Sequence, residues 1–279
     1  MTDAPINLPE RAAFDDQGFA RLSGPGITAL KADLNRVMLD TARRAAMRLL
    51  PQALSNTAPD TNSLDDYLAW LLSVERDNGV TRALYEVLPA LPPVIATINH
   101  PVLRTAIAWA GLDAPSAGTL PLVRLDRPGQ SQFATPAHQD SWYSMLSDNA
   151  VTLWLPLCDM TADVGRLEIV PGSHSAGIAA FKPYEAGHEW FETERPVDDA
   201  YFEAVDTADD EILIFNQSLI HRSGVNSSNR VRISVQFRFN DLANAKRLTS
   251  TYTPSLSRYV LDQQARHLDD RKKYQHPAA

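Results

Sequence analysis

Val231-Arg232-Ile233-Ser234-Val235-Gln236-Phe237-Arg238-Phe239 alternates apolar and polar side chains without a break. That period of two is the signature of a β-strand with one apolar and one polar face. Four shorter β-type runs precede it, at 120–125, 151–157, 167–170 and 212–215, separated by Gly, Pro, Asn and Asp. Short strands punctuated by turn residues predict a β domain over about 118–240.

Upstream the period changes to that of a helix. After Gly24-Pro25-Gly26, apolar residues recur at Ile27, Leu30, Leu34, Val37, Met38, Ala45 and Leu49, predicting a long amphipathic helix. Ser63 with Asp66 three residues on has the form of a capping box, and Leu64, Tyr67, Leu68, Leu71 and Leu72 continue a second helical stripe. Pro92, Pro93 and Pro101 punctuate shorter candidate helices at 81–87 and 102–110, because proline tolerates a helix start far better than an interior. The helical part therefore covers about 1–117. The Glu- and Asp-rich stretch at 184–210 lacks a sustained apolar period and reads as an insertion, a candidate lid, with a C-terminal extension at 241–279. All 279 residues are expected to form one domain, of the size single β domains reach.

With 44% hydrophobic and 22% charged residues, the composition is that of a globular chain and excludes wholly disordered, collagen-like and coiled-coil proteins. Against 34 acidic residues stand 26 basic ones, a net charge of −8, so neither nucleic acid nor an anionic membrane is an expected partner. The lone cysteine, Cys158, allows no intrachain disulfide and no thiolate zinc site, which suits a reducing compartment. The first ten residues show no basic segment followed by an apolar one, and no stretch has the length and apolarity of a membrane span. Cytoplasmic localisation is the expectation; the oligomeric state is not legible.

Seven histidines occur, so spacing must discriminate among them. In an extended His138-Gln139-Asp140 segment, the imidazole and the carboxylate point to one side. A third ligand from a distant strand could be His221, in Asn216-Gln217-Ser218-Leu219-Ile220-His221-Arg222-Ser223-Gly224. Two histidines and one carboxylate form the facial triad that leaves coordination positions open on non-heme Fe(II). An H-x-D frame alone is weak, and its plainer reading is a hydrogen-bonded His–Asp pair on a strand. Arg232 strengthens the metal reading: it lies eleven residues after His221 on the polar face of its strand, where a guanidinium can bind a carboxylate through two parallel hydrogen bonds.

These landmarks, together with Phe14-Asp15-Asp16-Gln17-Gly18-Phe19, Thr152-Leu153-Trp154-Leu155-Pro156-Leu157 and Gly165-Arg166-Leu167-Glu168-Ile169-Val170-Pro171-Gly172-Ser173-His174, give the chain its likeness. It resembles the phytanoyl-CoA dioxygenase (PhyH) family of Fe(II)/2-oxoglutarate-dependent oxygenases, from about Phe14 to Phe239. The resemblance implies a double-stranded β-helix, a cupin-like jelly-roll barrel buttressed by the N-terminal helices. It implies an iron held by His138, Asp140 and His221, with 2-oxoglutarate as cosubstrate and O2 as co-reactant. Arg232 would grip the distal carboxylate of 2-oxoglutarate, with Arg230 competing for that role. Ser223 and Trp154 would line the same pocket. Gln132, or in its place Arg124 or Gln130, would contact the cosubstrate, and Trp142 and Tyr143 would shape a substrate pocket. His174 would belong to the barrel rim. Because Asp140 is intact, hydroxylation with release of succinate and CO2 is favoured over halogenation; desaturation, cyclisation and epimerisation draw on the same centre. The expected substrate is a small metabolite or natural-product intermediate, neutral or amine-bearing rather than an acyl-CoA. The rival readings are a non-catalytic barrel and a cosubstrate-free cupin-type metalloprotein.

Overall fold

A computed structural model describes residues 6–50, 58–75, 79–129, 134–144, 146–184 and 191–246. Helix α1 (Arg11–Gln17) leads into strand β1 (Phe19–Ser23) and then into the long α2 (Pro25–Leu49). Helices α3 (Leu64–Val74), α4 (Gly79–Val87), α5 (Pro92–Ala96) and α6 (Pro101–Trp109) complete the N-terminal part. Strands β2 (Pro115–Ala117) and β3 (Leu122–Asp126) follow, then the single turn α7 (Ser141–Ser144) and β4 (Val151–Pro156). Next come β5 (Leu167–Ile169), β6 (Phe181–Pro183), β7 (Phe191–Thr193) and β8 (Glu203–Ala204). The chain returns through β9 (Glu211–Asn216), β10 (His221–Ser223) and β11 (Arg232–Asp241).

Strand pairing is antiparallel throughout. The larger sheet runs β1-β9-β4-β11-β2, with β3 also paired to β11, and a smaller one runs β10-β5-β8; β6 and β7 form a hairpin. The alternation in β11 suits its place inside the larger sheet, between β4 on one side and β3 and β2 on the other. Val235 and Phe237 on one face join Val123, Leu153 and Ile214 in a cluster shared with Leu30, Met38, Leu68 and Leu103 of the helices. The other face carries Arg232, Ser234, Gln236 and Arg238, and it is not solvated. It turns toward the smaller sheet, with Arg232 and Ser234 buried and all four residues lining one cavity. A second apolar cluster, including Trp154, Leu167, Ile169, Leu213 and Phe215, fills the space between the sheets.

Several expected boundaries shift for local reasons. Only half of the capping box forms: Ser63 Oγ accepts from Asp66 N at 3.2 Å, while Ser63 N donates to Thr61 Oγ1 rather than to the Asp66 carboxylate. Expected as one unbroken insertion, the acidic stretch in fact contains β7 and β8, the latter pairing with β5; its residues 185–190 lie outside those described. So does the C-terminal extension beyond residue 246. Strands β1, β2 and β10 carry no period of their own, being five, three and three residues long, and exist because their neighbours pair with them. No helix among the described residues is long and apolar enough to cross a membrane.

Candidate metal centre and its cavity

His138, Asp140 and His221 come together between the sheets, all buried, with one ligand atom from each within 4.8 Å of the others. Among the described residues they are the one such group of His, Cys, Asp or Glu. His138 and His221 exchange backbone hydrogen bonds in an isolated bridge, N to O at 2.9 and 3.0 Å, which sets their rings 4.1 Å apart. Gln139 points the other way. Its amide nitrogen donates to Gly177 O at 2.9 Å and its oxygen accepts from Ala179 N at 2.8 Å, so the alternation along this segment turns His138 and Asp140 inward.

Each imidazole is held by its Nδ1, His138 against Pro136 O at 2.8 Å and His221 against Leu219 O at 3.0 Å. A carbonyl only accepts, so Nδ1 carries the proton and Nε2 presents its lone pair to the centre. Burial, then the neighbouring His221, pushes the His138 imidazole down to about 3, and burial likewise lowers His221, so both rings are neutral, the form a metal requires. Burial alone would raise the Asp140 carboxyl, yet the Arg238 guanidinium holds it well below the usual carboxylate range. Thr152 Oγ1 donates to Asp140 Oδ2 at 2.6 Å, which leaves Oδ1 facing His138 Nε2 at 3.8 Å. Two neutral imidazoles and one ionised carboxylate, converging and oriented from behind, fit a divalent iron with open positions.

The cavity beside this centre measures about 510 Å3, within the range of small-ligand sites. Arg124, Asp126 and Arg232, all buried, line one part of it. Arg232 is opposite Asp126 in the β11–β3 register, and Arg124 follows two residues before Asp126 on the same face. Arg124 Nη2 donates to Asp126 Oδ1 at 2.6 Å and its Nη1 to Thr135 Oγ1 at 2.7 Å. Burial favours the neutral acid at Asp126, but the two guanidiniums outweigh it and keep the carboxylate ionised. Arg232 Nη1 donates to the carbonyls of Gly165 and Gly224, the latter at 3.0 Å, where two loops approach closely. Gly165 stands at φ +83°, and a Cβ there would meet Gly224 O at 2.5 Å, so only glycine fits.

Ser223 and Trp154 line the cavity, as does Tyr143, whose ring lies 6.4 Å from that of His138 and whose hydroxyl accepts from Phe191 N at 3.0 Å. Trp142 turns away. Its indole N–H donates to Ala179 O at 3.1 Å and its ring packs on Phe181, off the cavity wall. Arg230 lies outside β11 and reaches Asp65 at the start of α3, Nε to Oδ2 3.1 Å. His174 is likewise away from the centre, its Nε2 3.1 Å from Asp15 O. Gln130 and Gln132 lie outside the described residues. Sequence reasoning did not single out Asp126, Thr135, Thr152, Gln236 or Arg238. The signal for Arg238 was present in the polar period of β11, and Asp126 sits one period from Arg124; nothing local marks the two threonines.

Fold and site together define a non-heme metal enzyme of the two-histidine, one-carboxylate class. The family model for phytanoyl-CoA dioxygenase (PhyH) matches residues 27–234, and the chain belongs to that family of iron- and 2-oxoglutarate-dependent oxygenases. Among solved structures, the non-heme monooxygenase ThoJ in its apo form shares the fold at 18% identity, with a TM-score of 0.52 over 82% of this chain and 75% of that one. EvdO2 from Micromonospora carbonacea var. aurantiaca gives 17% identity and a TM-score of 0.49 over 90% of this chain and 97% of that one. EctD from S. alaskensis, solved with 2-oxoglutarate and 5-hydroxyectoine, gives 16% identity and a TM-score of 0.47 over 92% and 86%. No curated protein matches the chain.

Proposed function

We propose that this chain is a single catalytic domain, a double-stranded β-helix buttressed by α1 to α6, that hydroxylates an unactivated C–H bond of a small metabolite or natural-product intermediate. The observation that carries this reading is the shared cavity: His138 and His221, grouped with the buried Asp140, lie on its wall, and Arg232 lines the same space. In this reading the three ligands hold Fe(II), and Arg232 takes the distal carboxylate of 2-oxoglutarate. Iron, 2-oxoglutarate and O2 together couple decarboxylation of the oxoacid, to succinate and CO2, to insertion of the second oxygen atom into the substrate C–H bond.

The protein's share is orientation and exclusion of water. Thr152 and the two backbone carbonyls behind the imidazoles fix the ligand atoms. Asp126 holds the guanidiniums of Arg232 and Arg124, and Ser223, hydrogen-bonded through Thr135 to Arg124, completes the polar end. Trp154 walls the space between. Arg230, engaged with Asp65 away from the cavity, is poorly placed for the anchoring role.

The test is anaerobic addition of Fe(II) and then 2-oxoglutarate to metal-stripped protein. The visible charge-transfer band of an iron-chelated 2-oxo acid is expected, and it is expected to be lost in Asp140→Ala and to need far more cosubstrate in Arg232→Ala. Iron binding without the band would return the protein to the cosubstrate-free or non-catalytic readings.

A further inference from the structure

Arg238 has a donor that neither the metal ligands nor the 2-oxoglutarate anchor accounts for. It projects from β11 into the cavity six residues past Arg232, and its Nη2 donates to Asp140 Oδ1 at 2.6 Å and to Gln236 Oε1 at 3.3 Å. Its Nε is buried and, among the described residues, has no hydrogen-bond partner. A buried donor without an acceptor is costly unless a ligand supplies one.

The charges of the site point the same way. Buried or nearly so around the cavity are three guanidiniums, of Arg124, Arg232 and Arg238, against two carboxylates, of Asp126 and Asp140. Among these buried groups the guanidiniums outnumber the carboxylates by one, while the exposed Glu86 lines the same cavity. Iron(II) is a dication and 2-oxoglutarate a dianion, so loading both leaves that excess unchanged. Asp140 Oδ1 is also the oxygen that faces the metal position, and coordination draws off the electron density on which Arg238 depends.

Position then separates the two ends. Arg232, only 4% exposed, is sealed in by the Gly165 and Gly224 carbonyls. The backbone of Arg238 accepts from Gly118 N at 2.8 Å, beside a wall of Leu120, Pro121 and Leu122 in which Leu120 is 38% exposed. Arg238, with its unpartnered Nε, therefore lies beside a more exposed and apolar part of the wall. The overall acidity of the chain is not shared by its cavity.

We propose that Arg238 binds a carboxylate of the substrate, so that the molecule oxidised is a monocarboxylic acid whose apolar body lies on Leu120, Pro121 and Leu122. This rests on the oxygenase reading and names the substrate class for the same site.

The experiment uses the full chain with Fe(II) and 2-oxoglutarate under anaerobic conditions. Butyrate, hexanoate and octanoate are titrated, each against its uncharged amide, and the shift of the iron ligand-field and charge-transfer bands is read. At least one acid is expected to shift the bands saturably and its amide not to. Arg238→Gln is expected to weaken that acid at least tenfold, the loss of one charge-assisted contact, and by more than it weakens 2-oxoglutarate, whose iron site also loses the Arg238 contact to Asp140. Arg238→Lys, which keeps the charge, is expected to recover part of the binding, and circular dichroism checks that both variants fold. Acids that leave the bands unmoved in the parent, or that act equally in Arg238→Gln, overturn the proposal. A loss of 2-oxoglutarate in Arg238→Gln that equals or exceeds the loss of the acid overturns it in another way, by confining Arg238 to the iron and cosubstrate site. Absence of the parent band with 2-oxoglutarate alone is a separate result, and it removes the oxygenase reading itself.

Discussion

Arg232 and Asp126 face each other across β11 and β3, and both Nε and Nη2 of the guanidinium donate to one carboxylate oxygen, Oδ2, at 3.0 and 2.8 Å. Arg124 holds the other oxygen, Oδ1, at 2.6 Å. One buried carboxylate thus fixes two buried cations, and the plane of the Arg232 guanidinium on the cavity wall is set from behind.

Asp126→Asn keeps the shape and removes the charge. Two guanidiniums then share a neutral amide in a water-poor site, and breaking a buried ion pair typically costs about 3–5 kcal/mol. Urea unfolding is expected to show a loss of that order, and 2-oxoglutarate affinity, read by titration of the anaerobic iron complex, is expected to fall about tenfold or more. An unchanged affinity would mean that Arg232 needs no such positioning.

Thr152→Val deletes the hydroxyl that bonds Asp140 Oδ2 and keeps the volume. Removing a partner that orients a ligand typically weakens a metal site about 10–100-fold. Fe(II) titration is expected to show a loss in that range with the fold retained by circular dichroism. Retention of full iron affinity would show that Arg238 alone orients the carboxylate.

Gly165→Ala places a Cβ 2.5 Å from Gly224 O and 2.7 Å from the Val225 carbonyl carbon, in a backbone conformation that L side chains rarely adopt. The strained φ alone costs about 1–3 kcal/mol, and the displaced carbonyls are those that accept from Arg232. Lower stability in urea is expected together with weaker 2-oxoglutarate binding; loss of stability alone would confine Gly165 to the turn.

Burial pushes the Cys158 thiol up to about 11, although Ile233 N donates to its sulfur at 3.3 Å. Only the thiolate is nucleophilic, so at pH 8 the folded protein is expected to react with iodoacetamide far more slowly than the urea-unfolded chain. The folded rate is expected to climb as the pH rises toward 11. Mass spectrometry reads the single site cleanly, because Cys158 is the one cysteine. Equal rates at pH 8 would show that the thiol is open to solvent.

The sequence by itself determined the elements whose period is long enough to read. Helix α2 and strand β11 were legible because each repeats its apolar residues over many positions and buries a continuous face. His138, Asp140, His221 and Arg232 were legible because covalent spacing fixes which of them share a side of an extended segment, and because their order along the chain matches a family. Tertiary structure decided the rest. Thr152, Asp126 and Arg238 act on Asp140 and Arg232 from strands 12 to 106 residues away, and no local pattern distinguishes a threonine that orients a ligand from one that fills a strand. The sequence placed Arg232 and Arg230 two residues apart as rival anchors. The fold separates them: β11 begins between the two, turning Arg232 into the cavity and leaving Arg230 to Asp65. The polar face of β11 was visible as a period of two; that it lines a cavity rather than the outer surface follows only from the second sheet packing over it. Chain connectivity fixes which side chains are neighbours along a strand. Desolvation and charge pairing, which give those neighbours their chemistry, exist only once distant segments pack together.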